Sequence, residues 1–124
     1  MPATSQNITH YQGDNLTLTL GPVVDTDGNM VDLTAALSVR WWMAKKVTST
    51  GTDIFVKKEV GDGITLSQIS SHWFIVITLD PEDTESITPG AWYHECEVVD
   101  SSGRVATVTV GKFTIKDTLI PPAP

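Results

Sequence analysis

WFIVITL (73–79), DPEDTESITPG (80–90) and AWYHECEVVD (91–100) are the consecutive segments that determine the fold class of this chain. The first and third segments are the most hydrophobic and aromatic in the chain, and β-branched and aromatic residues favour strands. The middle segment begins Asp-Pro-Glu-Asp. This order is typical of a helix start, because Asp caps the first turn, Pro fits its first position and acidic side chains offset the helix dipole. We therefore predict a strand, one short helical turn near residues 81–86, and a second strand.

The pattern of polar and apolar residues indicates how these two strands are buried. Residues 73–79 are nearly all apolar, which predicts an inner strand with both faces at least partly covered. From residue 91 onward apolar and polar side chains alternate, so they point to opposite faces of the second strand. One face carries Trp92, His94, Cys96 and Val98, and the other carries Tyr93, Glu95, Glu97 and Val99.

Further short strands lie on both sides of this region and are separated by turn residues. They are predicted at residues 16–20, 30–33, 38–44, 54–59, 64–66 and 104–116. A change in the alternation near Gly111 predicts a β-bulge in the last of them. About seven or eight short strands without a long helical segment indicate an all-β fold, an antiparallel β-sandwich.

The hairpin turn at 25–29 (DTDGN) has a second interpretation, because its oxygen-bearing side chains alternate as in a calcium-binding loop. Such a loop needs a Glu at its twelfth position, whereas the twelfth residue counted from Asp25 is Ala36. The Asp-Gly pair favours a hairpin turn, because glycine tolerates the positive φ angle that the turn requires. We therefore predict no metal site in this turn.

The length of 124 residues predicts a single domain. Residues 1–13 are polar and lack periodicity, so we predict a flexible N-terminal arm. Residues 14–116 form the predicted β-sandwich domain. Residues 117–124, which end in PPAP, form a predicted Pro-rich C-terminal tail.

Composition and charge narrow the class of partner. Fifteen acidic residues against eight basic ones give a net charge of −7, which argues against nucleic acid because phosphate binding depends on Lys and Arg. No apolar run approaches the ~20 residues of a membrane-spanning helix, and the N-terminus lacks the basic and apolar regions of a secretory signal. Cys96 is the single cysteine, which excludes an intramolecular disulfide and is typical of a protein made in a reducing cytoplasm.

The sequence offers no catalytic constellation. His10, His72 and His94 are far apart and lack metal-ligand spacing. His94 and Cys96 share one strand face and could pair as base and nucleophile, but no third orienting residue accompanies them. We predict that the protein is not an enzyme and has no catalytic, cofactor-binding or metal-binding site.

Outward-facing aromatic and basic residues are candidates for contact with a partner protein. The alternation in residues 38–44 turns Trp42 to the outer face together with Arg40, and Trp is enriched at interface hot spots. The alternative is that Trp42 packs under a loop or beside Arg40. The two lysines of the strand at 54–59 indicate a protected sheet edge. The interaction candidates are Trp42, Tyr93, Lys57 and Lys58.

The four tryptophans suggest a second kind of ligand. Trp41, Trp42, Trp73 and Trp92 could line a carbohydrate platform. About two or three of them are needed for the core of a domain of this size, because a Trp on the inner face of a sandwich is normally a core residue. Carbohydrate binding therefore stays open as an alternative.

The order of strands and turns between residues 13 and 116 resembles a known group of proteins. Its pieces are Gly13-Asp14 before LTLTL, DTDGNMVDLTAA, GDGITL, LDPEDTESITPG followed by AWYHECEVVD, Ser-Ser-Gly, and VTVGKFTI. This pattern resembles the small immunoglobulin-like β-sandwich structural proteins of tailed bacteriophages and prophages, and is similar to the N-terminal domain of phage baseplate upper proteins. His94 and Cys96 stand where that group has aromatic and aliphatic residues.

The resemblance implies an immunoglobulin-like sandwich and a non-enzymatic structural component of a virion, in the tail or baseplate, in the neck, or as a capsid decoration. Such a component acts by docking onto other virion proteins, as a homo-oligomer or in repeated copies on a symmetric particle. It is made in the host bacterial cytoplasm and located in the virion, with no cofactor and no nucleic-acid or membrane partner. The alternative is a carbohydrate-binding or adhesive β-sandwich module that recognises the host surface.

Overall fold

The computed structural model describes residues 4–25, 27–45 and 54–117, which form an all-β fold. The strands are β1 (Thr4–Ser5), β2 (Ile8–Tyr11), β3 (Leu16–Leu20), β4 (Ser38–Ala44), β5 (Ile54–Val60), β6 (Gly63–Ile69), β7 (His72–Leu79), β8 (Gly90–Val99) and β9 (Val105–Lys116). A 3₁₀ turn covers Leu33–Ala35, and a short α-helix, α1, covers Pro81–Thr84. Residues 46–53 between β4 and β5 and, apart from residue 117, the predicted tail at 117–124 lie outside the described residues.

The described strands form one mixed sheet of nine strands in the order β1–β9–β8–β4–β5–β6–β7–β3, and β2 also pairs with β9. Two antiparallel blocks make up most of this sheet, β9–β8–β4–β5 and β6–β7–β3. A short parallel pairing of Glu59 with Gly63 and of Val60 with Ile64 joins the two blocks. β1 and β2 run parallel to β9 and extend the first block.

A single hydrophobic core draws side chains from both blocks. Trp41 and Met43 of β4 and Ile75 and Ile77 of β7 have 0% exposure. Each such side chain stabilises the fold by roughly 1.5–3 kcal/mol when it is fully buried. In β4 and β8 buried residues alternate with more exposed ones, as the period-two pattern predicted. The prediction of an inner strand at 73–79 is also confirmed, because β7 lies between β6 and β3.

The predicted helical turn after β7 is confirmed. The Asp80 backbone N–H donates to Asp83 Oδ2 at 2.7 Å, and the Asp83 N–H donates to the Asp80 carbonyl oxygen at 3.0 Å. Pro81 begins α1, and Ile87, just beyond its end, is buried in the core. This capped turn carries the chain from one antiparallel block to the other.

The strand predicted at 30–33 is wrong. Met30 makes only an isolated bridge to Val24. The chain then enters the 3₁₀ turn, because the Asp32 side chain accepts the Thr34 backbone N–H at 3.0 Å. A short carboxylate that bonds its own backbone in this way offers the chain an alternative to a strand ladder. Leu33 is buried at 1% exposure and anchors the turn to the core.

The last strand contains a bulge, but not at the predicted position. Cys96 pairs with Thr109 and Glu97 pairs with Thr107, so Val108 is the extra residue of β9. Two consecutive residues, Val108 and Thr109, are buried as a result. Gly111 serves a different purpose, because a Cβ atom there would overlap the carbonyl oxygen of Gln6.

The N-terminal segment differs from the predicted flexible arm. Residues 4–11 contain β1 and β2, which lie along β9. Ile8 and His10 are buried, while Thr9 and Tyr11 are exposed. The alternating segment is only four residues long, which is too short to predict a strand. Its parallel partner also lies about 105 positions away along the chain, as in Ile8 with Phe113.

The lysine-bearing strand is not an edge of the sheet, contrary to the prediction. β5 lies between β4 and β6 in the strand order. Its pairing with β6 covers only Glu59 and Val60, so most of its length is paired on the β4 side alone. Lys57 and Lys58 are neighbours in a strand and therefore point to opposite faces of the sheet.

Candidate functional site

The candidate site is a groove on the face of the β9–β8–β4–β5 block that points away from the core. We call it the Trp42 groove, and its volume is about 390 Å³. A cleft of this size is in the range that holds a small ligand or a side chain of a partner. The residues that line it are Asn7, Trp42, Ala44, Ile54, Tyr93, His94, Glu95, Val110, Gly111 and Lys112.

Strand register places Trp42 at the centre of this outer face. Trp42 pairs with Lys57 of β5 on one side and with Glu95 of β8 on the other. In the neighbouring row, Arg40 pairs with Glu59 and Glu97. Residues opposite one another in a sheet contact through their side chains. The alternation of β4 therefore produces two cross-strand rows of aromatic and charged groups.

The Trp42 ring contacts two cationic side chains. Lys57 Nζ lies 4.7 Å from the ring centroid, and Arg40 Cζ lies 5.4 Å from it. Arg40 also forms an ion pair with Glu97. Each cation–π contact at an exposed site contributes about 0.5–1 kcal/mol. Trp42 thus packs beside Arg40, as the alternative interpretation stated, and it remains half-buried in the wall of the groove.

The structure brings three of the four predicted interaction residues together. Tyr93 is 37% exposed and lines the groove with Trp42, and Lys57 contacts the Trp42 ring. Lys58 lies elsewhere, because its side chain points to the opposite face. Lys58 Nζ is 3.1 Å from Asp83 Oδ1, and this ion pair ties β5 to α1.

His94 is also among the residues that line the groove, although its side chain points to the core face of β8, away from Tyr93 and Glu95. Sequence reasoning did not assign it to a binding surface. Its Nδ1 accepts the Trp41 indole N–H at 3.1 Å, and its Nε2 lies 2.7 Å from the Gln6 carbonyl oxygen. The indole is only a donor, so the proton of the neutral imidazole sits on Nε2 and is donated to Gln6. Burial lowers the pKa of His94.

Asn7 is a second residue of the groove that the sequence did not reveal. Its Oδ1 accepts the Lys112 backbone N–H at 3.0 Å, in the gap between β1 and β2. The side chain thereby takes the place of a backbone acceptor where the strand is interrupted. Only the alternation that begins at Ile8 could have signalled that this segment reaches β9.

Cys96 and His94 are not arranged as a nucleophile and a base. Burial, with a further contribution from the nearby Glu95 and Glu97 charges, raises the pKa of Cys96 to about 12. The thiol is therefore protonated at neutral pH, and only the thiolate is a good nucleophile. Both ring nitrogens of His94 are already engaged by Trp41 and Gln6.

No group of three or more His, Cys, Asp or Glu side chains within residues 4–25, 27–45 and 54–117 is placed to hold a metal ion. Within those ranges there is also no helix with the length and apolar character needed to cross a bilayer. Trp41 and Trp92 are buried and Trp73 is half-buried, so Trp42 is the tryptophan that lines the groove.

No protein-family model matches the chain, and a comparison with curated proteins finds no match.

Proposed function

We propose that the protein is a non-enzymatic structural component of a tailed-phage virion, which docks onto other virion proteins through the outer face that contains the Trp42 groove. The observation that carries this proposal is the cluster of Trp42, Tyr93, Arg40 and Lys57 on that face. Trp, Tyr and Arg are the residue types enriched at the energetic centres of protein interfaces. The described residues that line the groove include no Ser, Thr or Cys.

The strand pairing supports the immunoglobulin-like sandwich that the sequence resemblance implies. In immunoglobulin domains, strands B, E and D share one sheet and strands C, F and G share the other. The pairings β3–β7–β6 and β4–β8–β9 match these two groups of strands, and β5 takes the place of strand C′, although its short pairing with β6 joins the two groups into one sheet. Trp41 on β4 lies opposite Cys96 on β8, as the buried Trp of strand C lies near the Cys of strand F in antibody domains.

A protein partner fits the state of the Trp42 ring better than a sugar does. A sugar stacks on an open aromatic face, whereas Lys57 and Arg40 already lie over the Trp42 ring. A protein partner can instead bury the aromatic ring together with its cationic neighbours, and carboxylates on the partner can pair with Lys57. The groove would then be the centre of an interface of roughly 800 Å² per partner.

The test is to purify particles of the phage or prophage that encodes this chain and to measure its copy number in them by mass spectrometry. We expect the wild-type chain in a fixed ratio to the other virion proteins, and at least about a tenfold loss for Trp42→Ala, since a hot-spot truncation costs 2 kcal/mol or more. The matched control is Thr17→Ala, an exposed position on β3 in the other block. A chain absent from the particles would overturn the proposal.

A second candidate function, carbohydrate binding, is favoured by one observation. Asn7, Glu95 and Lys112 place polar groups around Trp42 and Tyr93 in the same groove, and sugar sites combine an aromatic surface with a few polar groups. A glycan array with the wild-type chain and Tyr93→Ala tests it. Binding of a host-surface glycan that is lost in Tyr93→Ala supports this candidate, and an array without binding contradicts it.

A further inference from the structure

The N-terminal strand occupies a surface of β9, around residues 110–115, that we call its seat. This surface fits one particular segment of chain. Gly111 leaves space for the Gln6 carbonyl oxygen, and the Gln6 N–H donates to the Val110 carbonyl oxygen at 2.9 Å. His94 donates to the same Gln6 carbonyl from beneath. Asn7 then covers the Lys112 N–H where the strand is interrupted.

Residues 8–11 complete this seat with apolar packing. Ile8 lies opposite Phe113, and His10 lies opposite Ile115. The His10 ring also packs edge-on against the Phe113 ring, with 5.9 Å between the centroids. Ile8 and His10 have 9% and 4% exposure, so an empty seat would expose Phe113 and Ile115 to water.

The strand is connected to the rest of the fold by a short hinge. Gly13 has a φ angle of +80° and is followed by two exposed residues, Asp14 and Asn15. β1 and β2 pair with β9 alone, so the strand carries its ladder bonds on one side. Two hydrogen bonds tie this connection to the α1 region, from the Gly13 N–H to Thr84 Oγ1 and from the Gln12 side chain to the Ile87 carbonyl oxygen. A terminal element with one strand partner can exchange between copies, because the exchanged form keeps the contacts of residues 4–11 with β9.

We propose that the β9 edge is an interaction surface for the N-terminal strand of a second copy, so that residues 4–11 are exchanged between neighbouring chains. The surface selects its occupant through the space above Gly111, the Phe113 and Ile115 side chains and the Lys112 N–H. The Trp42 groove then becomes a composite site, because its Asn7 comes from one copy and its Trp42 and Tyr93 from the other. This proposal goes beyond virion docking and does not depend on which protein binds the Trp42 groove.

The test uses cysteines at register partners. Thr9 lies opposite Thr114, and both belong to the outward-facing side of their strands. Thr9→Cys and Thr114→Cys are made in separate full-length chains, and the two chains are unfolded and refolded together, then oxidised. A 9–114 disulfide between chains requires the strand of one copy to lie on β9 of the other. Cys96 is buried and serves as an unreactive background thiol.

The control replaces Thr114→Cys by Thr107→Cys, which lies on the same strand opposite Glu97, about seven residues from the register partner of Thr9. Exchange predicts at least tenfold more 9–114 than 9–107 disulfide, and a yield that rises with protein concentration. Equal yields of the two disulfides would overturn the proposal. The double variant Thr9→Cys/Thr114→Cys should form its disulfide within a monomer, which checks that the register is correct.

Discussion

At the scale of single residues, His94 is the side chain on which several parts of the molecule depend. Its side chain contacts the core through Trp41 and the N-terminal strand through Gln6, and the residue lies behind the wall of the Trp42 groove. A buried polar group is costly only when its partners are missing. Neutral histidine satisfies a donor and an acceptor at once, which neither an aliphatic nor an aromatic side chain could do at this position.

His94→Phe tests this dependence. The substitution leaves the Trp41 indole N–H and the Gln6 carbonyl oxygen without their partner, and each unsatisfied buried group costs about 1–3 kcal/mol. We expect a loss of about 2–4 kcal/mol in the free energy of unfolding, measured by urea denaturation at pH 7.5. His72→Phe, at an exposed position, is the control and should change stability by less than about 0.5 kcal/mol. Equal effects of the two substitutions would contradict the assigned role.

At the scale of elements, the N-terminal strand depends on the space above Gly111 as much as on its backbone hydrogen bonds to β9. Gly111→Ala places a methyl group into the Gln6 carbonyl oxygen. We expect β1 and β2 to detach while the two antiparallel blocks stay folded. Hydrogen exchange should show at least about tenfold faster exchange for the Gln6 and Gln12 amides, which donate to β9, and unchanged exchange in β7.

Gly103→Ala is the matched control for Gly111→Ala. Gly103 has a φ angle of +87° but open space around it, so alanine there adds backbone strain without displacing a neighbour. It should lower global stability by about 1 kcal/mol and leave the exchange of the Gln6 amide, relative to β7, unchanged. Selective opening of the N-terminal strand in this control would contradict the role assigned to the space above Gly111.

The same element should loosen in acid. Burial lowers the pKa of both His10 and His94, against a partial offset from Asp14 near His10 and from the Gln6 carbonyl near His94. The unfolded chain therefore binds more protons than the folded chain as the pH falls below 6.5, the ordinary pKa of histidine, and stability then decreases. Full stability is expected above that pH.

The measurement is the urea midpoint of the wild-type chain between pH 7.5 and pH 5, compared with His94→Gln and with Thr17→Ala at an exposed position. His94→Gln should lose part of the pH dependence because the glutamine does not titrate, whereas Thr17→Ala should keep all of it. A wild-type midpoint that stays constant over this range would be inconsistent with neutral buried histidines.

At the scale of the whole molecule, the sequence was sufficient for the elements whose pattern is long and local. The alternation in 38–44 and 91–99 placed the core face and the outer face of β4 and β8 correctly. The same alternation brought Trp42 and Tyr93 to one surface. The helix start at Asp80-Pro81 could also be predicted, because its hydrogen bonds join residues that are close together in the sequence.

The parts that the sequence did not predict depend on long-range contacts. The N-terminal strand is stabilised by parallel pairing with a strand at the other end of the chain. The bulge at Val108 is set by the register of β9 against β8 rather than by a glycine. Lys58 was grouped with Lys57 as an interaction residue, yet its ion pair with Asp83 depends on where α1 packs. Asn7 joins the groove for the same reason as its strand joins β9.

The central claim is that the outer face around Trp42 is buried against a partner in the assembled particle. Hydroxyl-radical footprinting tests it directly, by comparing the oxidation of Trp42 and Tyr93 in the purified chain and in intact virions. The prediction is oxidation of both side chains in the free chain and at least tenfold protection in the virion, while buried Trp41 stays unreactive in both. Equal oxidation of Trp42 in the free and particle-bound chains would contradict the claim.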